Sequence, residues 1–555
     1  MNKKVCSFPI LFALLALLIG TCAVVFPASA QAVPTSTGSI TVSGTVASSY
    51  DAYQIFSANV VDGDSDAKIA TDLAWASDVV RDAALPVLHS AGMPKSQTTA
   101  QEAAEWLNTD SHLTSALSAQ LARSLQSSGA VFVPLNAGMA AELPCGYWLI
   151  VADDDAIDQG EAGTAPIMAL VGGGAATVKP KAATPKVAKH VLEDSTDAWQ
   201  KAADATVADD LYWRLSATVP AGLTAYDTYT VQFVDTMGAG LDLSKVAASM
   251  RVYVAAGADG GFDAVSAGKD GRAGTEPAKG WTDITAQCAT KVAAGGTFTV
   301  RTGDLIAALG GAEAFTAGAR VVAVYNAPLN SACNHGIAKG NPNEVYLRYP
   351  RSPLADQSGD AGFTRTPSDD ACAYTWDLAL TKRGSDGDKP LAGAVLSIAD
   401  DRGRTLAADG TWDAEGKATV TTGEDGRVTV SGVDSGKLEV RELKAPKGYT
   451  AFEGTRSVTV KAEGLDVDQV AAAKPKLTIT AESPLRADSA DGSTGSLEAS
   501  LINTPTGTPP SITTGGFMPS TGDMAMYAAA AAAAAGAALI VVALLVKRGG
   551  GSHKE

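Results

Sequence analysis

Length, composition and charge exclude several classes of function. The chain has 555 residues and a formal net charge of −17, so it lacks the basic footprint that a nucleic-acid partner requires. Its five histidines are scattered, with no metal-ligand spacing and no nucleophile motif beside them, which argues against an enzyme and predicts no metal and no cofactor.

The N-terminus has the pattern of a secretory signal peptide. Lys3 and Lys4 precede an apolar stretch over residues 10–25, and a small-residue cleavage site ends at Ala30. We expect residues 1–30 to be removed and the mature chain to be exported. Its remaining length predicts about three domains at roughly 150 residues each.

The first predicted domain, residues 31–178, combines two kinds of periodicity. Residues 38–60 alternate apolar and polar side chains as a β-strand does, whereas residues 67–125 repeat apolar side chains at helical spacing. Thr99 and Glu102 have the spacing of a capping box at the start of a helix. We therefore predict a β-fold with a helical insertion.

Strands resume after the helices, at residues 130–133 and 146–151, and a Gly-, Pro- and Lys-rich stretch at residues 172–185 marks a boundary. Short strands separated by Gly and Asp turns continue through a second domain, residues 179–373, and a third, residues 374–505. The predicted fold class is mainly β: tandem antiparallel sandwiches, of which the first carries the helical insertion.

Four cysteines remain in the mature chain: Cys145, Cys288, Cys333 and Cys372. An exported protein meets an oxidising environment, where thiols can pair as disulfides. Four cysteines allow three pairings, and sequence does not choose among them. We expect Cys288 to pair with Cys333, because both fall in the second predicted domain.

Three strands of the third predicted domain end an apolar row with a polar residue. Alternate side chains of a strand share a face, so Lys382, Glu442 and Asn503 each follow inward-facing aliphatic residues. Burial of unpaired polar groups is costly, which predicts that the three converge in one cluster. An ordinary buried Lys–Glu ion pair with a nearby Asn is the alternative interpretation.

The C-terminus combines a linker, a pentapeptide and an apolar run. Residues 506–517 form a Pro-, Gly- and Thr-rich linker, followed by the pentapeptide at residues 518–522. Residues 524–546 are long enough to span a bilayer, and Lys547-Arg548 would hold the end on the cytoplasmic side.

This order resembles the LPXTG-like sorting signal of Gram-positive cell-wall proteins, here written Met518-Pro519-Ser520-Thr521-Gly522 with Met in place of the usual Leu. The resemblance implies that a sortase cleaves between Thr and Gly and transfers the Thr carboxyl to an amine. The sorting signal, residues 518–555, would then hold the chain in the membrane only until that cleavage.

The third domain resembles the CnaB-type Ig-like domain of sortase-assembled pilins. The run from Glu442 to Tyr449 is similar to the pilin E-box, the surroundings of Lys382 to the first strand, and Asn503-Thr504-Pro505 to the last strand. The resemblance implies an isopeptide bond between Lys382 and Asn503, with Glu442 assisting. It would be a single self-reaction without turnover.

The second domain resembles the fimbrial isopeptide-forming D2 domain, of CnaA type. Lys189 is the inward lysine of its first strand, and Asp235 matches the assisting carboxylate. The family's acceptor Asn is replaced by Arg351, so either Asn343 or Asn341 serves or the domain has no crosslink. We expect no crosslink, with Lys189 paired ionically to Asp235.

The first domain resembles pilin N-terminal domains more loosely, through residues 50–56, and its first strand has no inward lysine. We expect no crosslink there. Pilins carry an exposed lysine between their first two domains, in a Val-Tyr-Pro-Lys motif. The corresponding residues here are 178–181, which makes Lys181 the expected intersubunit amine and Lys179 the second choice.

Together the resemblances identify a major shaft pilin of SpaA type, built from tandem CnaA- and CnaB-type sandwiches and anchored in the wall as a surface fimbria. The implied partners are a class C pilus sortase, the housekeeping sortase, other copies of the chain and peptidoglycan. A wall-anchored adhesin or minor pilin that binds a ligand on the host surface is the alternative.

Overall fold

A computed structural model describes residues 36–44, 46–62, 68–109, 111–181, 183–257 and 280–507. The expected signal peptide, the sorting pentapeptide with Thr521 and Gly522, the apolar run and most of the linker lie outside these residues. Within them, no helix is long and apolar enough to cross a membrane.

The first domain is a pair of small sheets with three helices packed on one side. Its helices are α1 (Asp78–Ser90), α2 (Ala100–Asn108) and α3 (Ser115–Ser128). Its strands are β1 (Thr37–Val42), β2 (Ser49–Asp62), β3 (Lys68–Trp75), β4 (Val133–Asn136), β5 (Ala140–Pro144), β6 (Gly146–Ala152), β7 (Ile167–Val171) and β8 (Ala176–Val178). The sheets have the orders β5-β1-β8 and β3-β2-β6-β7, with β4 beside β2.

Local sequence signals explain the helical insertion. The capping box at the start of α2 is present, with Thr99 and Glu102 each bonding the other's backbone N–H. Helix α3 ends at Gly129, whose φ of 69° suits glycine. The helical spacing expected from residue 67 was wrong over its first part: β3 forms a hairpin with β2, because its partly exposed side chains line a sheet edge.

The second domain is a sandwich of two larger sheets, with orders β10-β9-β12-β18-β14-β15 and β11-β21-β19-β13-β17-β16, and with β20 beside β19. Its described residues include two short α-helices, α4 (Val246–Ser249) and α5 (Leu305–Ala308). Its strands are β9 (Lys186–Glu193), β10 (Ala198–Gln200), β11 (Ala202–Asp204), β12 (Tyr212–Val219), β13 (Gln232–Met237), β14 (Arg251–Ala256), β15 (Thr282–Asp283), β16 (Ala289–Val292), β17 (Thr297–Arg301), β18 (Ala319–Asn326), β19 (Asn341–Pro350), β20 (Phe363–Arg365) and β21 (Asp369–Tyr374).

The third domain is a further sandwich, with sheet orders β27-β22-β33-β29 and β25-β24-β23-β28-β30-β31; β32 pairs with β33 and β26 with β23. Its strands are β22 (Trp376–Gly384), β23 (Val395–Ala399), β24 (Thr405–Leu406), β25 (Trp412–Asp413), β26 (Val420–Thr421), β27 (Arg427–Val433), β28 (Gly436–Lys444), β29 (Tyr449–Thr450), β30 (Thr455–Glu463), β31 (Lys476–Ala481), β32 (Leu485–Asp491) and β33 (Ser496–Pro505). The chain is thus mainly β, in tandem sandwiches, as the sequence predicts.

The expected disulfide between Cys288 and Cys333 was wrong, because all four described cysteines are free thiols. Cys288 lies before the edge strand β16, where its thiol donates to the Ile284 carbonyl at 3.3 Å. Cys333 lies in the loop between β18 and β19, with its Sγ 3.6 Å from His335 Nε2. A shared domain therefore did not bring these two sulfurs together.

Arg351 joins the first domain to the second. Its guanidinium donates to the Asp154 carbonyl at 2.9 Å, and its own carbonyl accepts from the Gly163 N–H at 2.6 Å. Arg123 of α3 reaches across the same joint to Asp227 at 3.0 Å. The residue that departs from the D2 pattern therefore makes an interdomain contact.

Candidate functional site

The polar cluster of the third domain lies between its two sheets. Strands β22 and β33 are parallel neighbours in one sheet, and Gly384 is in register with Asn503. Strand β28 belongs to the facing sheet. Alternation along each strand turns Lys382, Glu442 and Asn503 inward, and their exposed fractions are 0%, 6% and 2%. The predicted convergence is therefore present.

The distances in this cluster differ from those of a simple ion pair. Lys382 Nζ is 3.7 Å from Glu442 Oε1 and donates instead to the Leu501 carbonyl at 3.1 Å. Both oxygens of Glu442 accept from Asn503 Nδ2, at 2.9 and 3.0 Å. The backbone N–H of Phe452 also donates to Glu442, at 3.1 Å. A tight ammonium–carboxylate bond would be about 2.7–2.9 Å, so the carboxyl group binds the amide rather than the amine.

Burial prepares the two reacting groups. Removal from water lowers the pKa of Lys382 to about 8, against a smaller opposing effect of Glu442. A substantial fraction of this amine is therefore neutral, and nucleophilic, near physiological pH. Asn503 Oδ1 is buried without a hydrogen-bond partner among the described residues. An amide whose nitrogen faces an acid and whose carbonyl is unpaired is suited to attack at carbon and loss of ammonia.

The lowered pKa of Lys382 makes a prediction for the variant Asn503→Ala, which cannot form a bond. Between pH 8 and 10.5 the unfolded chain binds the Lys382 proton more strongly than the folded chain, so the stability of the third domain rises with pH. Calorimetry at pH 8 and pH 10 should show its transition temperature rising more than in the double variant Asn503→Ala with Lys382→Met. Equal pH responses in the two variants would contradict a lowered pKa of Lys382 in the folded domain.

A second polar cluster lies between the sheets of the second domain. Lys189 on β9 and Tyr325 on β18 come from one sheet; Asp235 on β13 and Asn343 on β19 come from neighbouring strands of the other. Lys189, Tyr325, Asp235 and Asn343 are each 0% exposed, so no water competes for their hydrogen bonds. The expected ion pair of Lys189 with Asp235 is confirmed.

Tyr325 connects all the other members of this cluster. Its hydroxyl accepts from Lys189 Nζ at 2.9 Å and from Asn343 Nδ2 at 2.8 Å, and it donates to Asp235 Oδ2 at 3.1 Å. Burial lowers the pKa of Lys189 to about 8 and raises the pKa of Asp235. Asn343 Oδ1 has no partner among the described residues, as at Asn503.

The structure distinguishes Asn341 from Asn343, the two candidate acceptors between which the sequence does not choose. Asn341 is held by backbone: its Oδ1 accepts from the Asn334 N–H at 2.8 Å, and its Nδ2 donates to the Asn334 carbonyl at 2.9 Å. Asn343 is the residue that joins the cluster. Sequence reasoning missed Tyr325, because every residue of β18 is buried and a tyrosine there is indistinguishable from core packing.

The expected intersubunit lysines lie in the connection between the first two domains. Lys179 follows β8 directly, Lys181 is two residues further on, and both are exposed to solvent. Strand β8 pairs in parallel with β1, and the Ser43 N–H donates to the Val178 carbonyl at 2.8 Å. The connection therefore starts from an anchored strand and presents its amines to solvent.

A known family model matches part of the third domain. Residues 377–474 match the family model described as SpaA: Prealbumin-like fold domain. A curated relative, the trypsin-resistant surface T6 protein of Streptococcus pyogenes serotype M6, is 30% identical over 143 residues, which is 24% of this chain. The chain spans about a quarter of that relative's length, since the match covers 24% of it.

Two of the solved structures to which the chain is similar are described as pilins. The T6 backbone pilin of serotype M6 Streptococcus pyogenes has 17% identity and a TM-score of 0.46, with 85% of this chain and 98% of that chain covered. The major pilin SpaD of Corynebacterium diphtheriae has 15% identity and a TM-score of 0.41, with 85% and 98% covered. Lys382 and Glu442 lie within the residues that match the SpaA: Prealbumin-like fold domain, and Asn503 lies beyond the end of that match.

Proposed function

We propose that the chain is the structural shaft subunit of a covalent, sortase-assembled pilus on a Gram-positive cell wall. One observation carries the proposal: a buried amine on the first strand of the third domain, an amide on its last strand and an acid on the facing sheet meet between the two sheets. The role is mechanical rather than enzymatic. The matched family and the pilin relatives support it.

The reaction proposed for the third domain is an amide exchange. Neutral Lys382 Nζ attacks the side-chain carbonyl carbon of Asn503, and the C–N bond to Nδ2 breaks. One proton passes from Nζ through Glu442 to Nδ2, which leaves as ammonia. The product is an isopeptide bond, and the reaction consumes no co-reactant. The two contacts between Asn503 Nδ2 and Glu442 put the acid beside the leaving group.

The crosslink would change how the third domain bears tension. Because β22 and β33 are parallel neighbours, a force that enters at Trp376 and leaves near Pro505 shears their hydrogen-bond ladder. A bond from Lys382 to Asn503 diverts that force into a covalent link near the ends of both strands. The part of the chain that lies between Lys382 and Asn503 in the sequence then carries no load, which is the property that a fibre subunit needs.

We extend the proposal to a second bond, between Lys189 and Asn343, with Asp235 assisting. This revises the expectation that the second domain has no crosslink. That expectation rested on Arg351, whereas the structure places Asn343 in the same buried cluster as Lys189. Two domains in series are as strong as the weaker one, so a shaft benefits from a crosslink in each.

Polymerisation would join subunits through the exposed connection between the first two domains. In this proposal a pilus sortase cleaves after Thr521 and transfers its carboxyl to Lys181 of another copy, and the housekeeping sortase attaches the finished fibre to peptidoglycan. The solvent exposure of Lys181 supports the assignment. The protein is then a surface fimbria, held by its C-terminal apolar run only before cleavage.

Cell-wall extracts, boiled in detergent and probed with an antibody against the ectodomain, test this function. A covalent shaft gives a ladder of high-mass species, because amide bonds between subunits survive boiling. A single band of monomer mass contradicts the shaft and favours the wall-anchored adhesin. Deleting the pilus sortase provides the control, since the ladder should collapse while the monomer persists.

A further inference from the structure

The two buried clusters differ in the group that contacts the amide nitrogen of the Asn. In the third domain that group is the carboxyl of Glu442, at 2.9 and 3.0 Å. In the second domain it is the hydroxyl of Tyr325, at 2.8 Å. Among the described residues, Asp235 makes no hydrogen bond to Asn343. Aspartate is one methylene shorter than glutamate, and the tyrosine hydroxyl lies between its carboxyl group and the amide.

The Tyr325 hydroxyl is held at this point by its own hydrogen bonds and by packing. It donates to Asp235 and accepts from Lys189 and Asn343, which uses its one proton and both lone pairs. The ring packs edge-on against Phe298, with centroids 4.9 Å apart. The hydroxyl therefore contacts the amine that attacks, the nitrogen that leaves and the carboxyl that holds the proton.

We infer that Tyr325 is a catalytic residue of the second-domain bond, where it relays a proton from Asp235 to the departing nitrogen of Asn343. The inference rests on the Lys189–Asn343 bond proposed above. It assigns to two residues, Asp235 and Tyr325, the work that Glu442 does alone in the third domain.

The proton balance of the relay is complete within the cluster. In its neutral form, Lys189 Nζ forms the new bond to the side-chain carbon of Asn343 and gives one proton to the ionised carboxylate of Asp235 at Oδ2, which it contacts directly. Asp235 passes that proton to the Tyr325 oxygen while Tyr325 gives its own proton to Nδ2. The C–N bond then breaks and ammonia leaves. Tyr325 and Asp235 return to their starting protonation states.

Burial keeps both relay groups in suitable states. Loss of water raises the pKa of Tyr325 well above its ordinary value, so the phenol keeps its proton unless it receives another. Burial also raises the pKa of Asp235, although Lys189 opposes the shift, and this lets the carboxyl hold a proton transiently. A carboxylate of ordinary pKa would accept the proton from Lys189 less readily.

The variant Tyr325→Phe tests the relay, because it removes the hydroxyl and keeps the ring. The full ectodomain is made by cell-free synthesis, and intact mass is followed with time. We expect the second-domain ammonia loss to slow roughly 100-fold, within the range for general acid–base catalysis. The third-domain loss should keep its wild-type rate and serves as the internal control for folding. Asn343→Ala supplies the reference mass without the second bond.

A rescue variant separates chemistry from packing. Asp235→Glu in the Tyr325→Phe background lengthens the acid, so that it can reach Asn343 as Glu442 reaches Asn503. We expect at least partial recovery of the second loss, which a role in packing alone would not give. Two losses at wild-type rate in Tyr325→Phe overturn the relay alone. A wild-type chain that loses only the third-domain ammonia overturns the relay together with the second bond.

Discussion

Replacing Glu442 with alanine is expected to abolish one of the ammonia losses of the ectodomain and to leave its third domain markedly less stable. Without the acid, no group moves the proton from Lys382 to the nitrogen of Asn503, so the bond does not form. By analogy with disulfides, a crosslink that closes a loop of about 120 residues stabilises by roughly 4–5 kcal/mol through the unfolded state. Intact mass and denaturant unfolding measure the two effects.

Glu439→Ala is the matched control for this variant. Glu439 lies on the same strand, β28, but its half-exposed side chain faces outward and pairs with Lys437 at 2.9 Å. We expect it to have wild-type mass and nearly wild-type stability, since surface ion pairs contribute little. The two variants have the same calculated mass, so a Glu442→Ala protein with the same measured mass as the Glu439→Ala protein would show that Glu442 is dispensable.

Replacing Lys181 with alanine is expected to abolish the high-mass ladder in cell-wall extracts. The variant lacks the amine that receives the Thr521 carboxyl, whereas its own folding is unaffected because Lys181 is exposed. Monomer should therefore accumulate at undiminished total amount. The measurement is an immunoblot of boiled extracts from cells that express the variant as their only copy.

Lys179→Ala is the matched control for the intersubunit bond. It removes an exposed amine two residues away, and its ladder should match that of the wild type. If the ladder were lost in Lys179→Ala and kept in Lys181→Ala, the intersubunit bond would be assigned to Lys179. A ladder that survives loss of both lysines would contradict the assignment to this connection.

Period-two alternation was enough to predict the third-domain cluster. Lys382, Glu442 and Asn503 each end an apolar row, so the strand geometry alone turns them inward. Alternation does not identify Tyr325 in the same way, because all side chains of β18 are buried and a tyrosine there is not distinguished from a core residue. Sequence does not choose between Asn343 and Asn341 for a related reason: the choice depends on which of the two the backbone of Asn334 binds.

Long-range contacts account for the errors of sequence reasoning. The pairing of Cys288 with Cys333 depended on proximity in space, which a shared domain does not guarantee. The helical spacing predicted for residues 68–75 is wrong because β3 is an edge strand, and its partly exposed side chains give no clear alternation. Arg351 stands where the D2 family has its acceptor Asn, and its contacts with Asp154 and Gly163 give it a different role at the domain joint.

Intact-mass spectrometry of the recombinant ectodomain, residues 31–521, tests the central claim most directly. The account predicts a mass two ammonias below the value calculated from the sequence. One loss should be cancelled by Asn503→Ala and the other by Asn343→Ala. A mass equal to the calculated value would contradict it, since both clusters would then be ordinary buried hydrogen-bond networks.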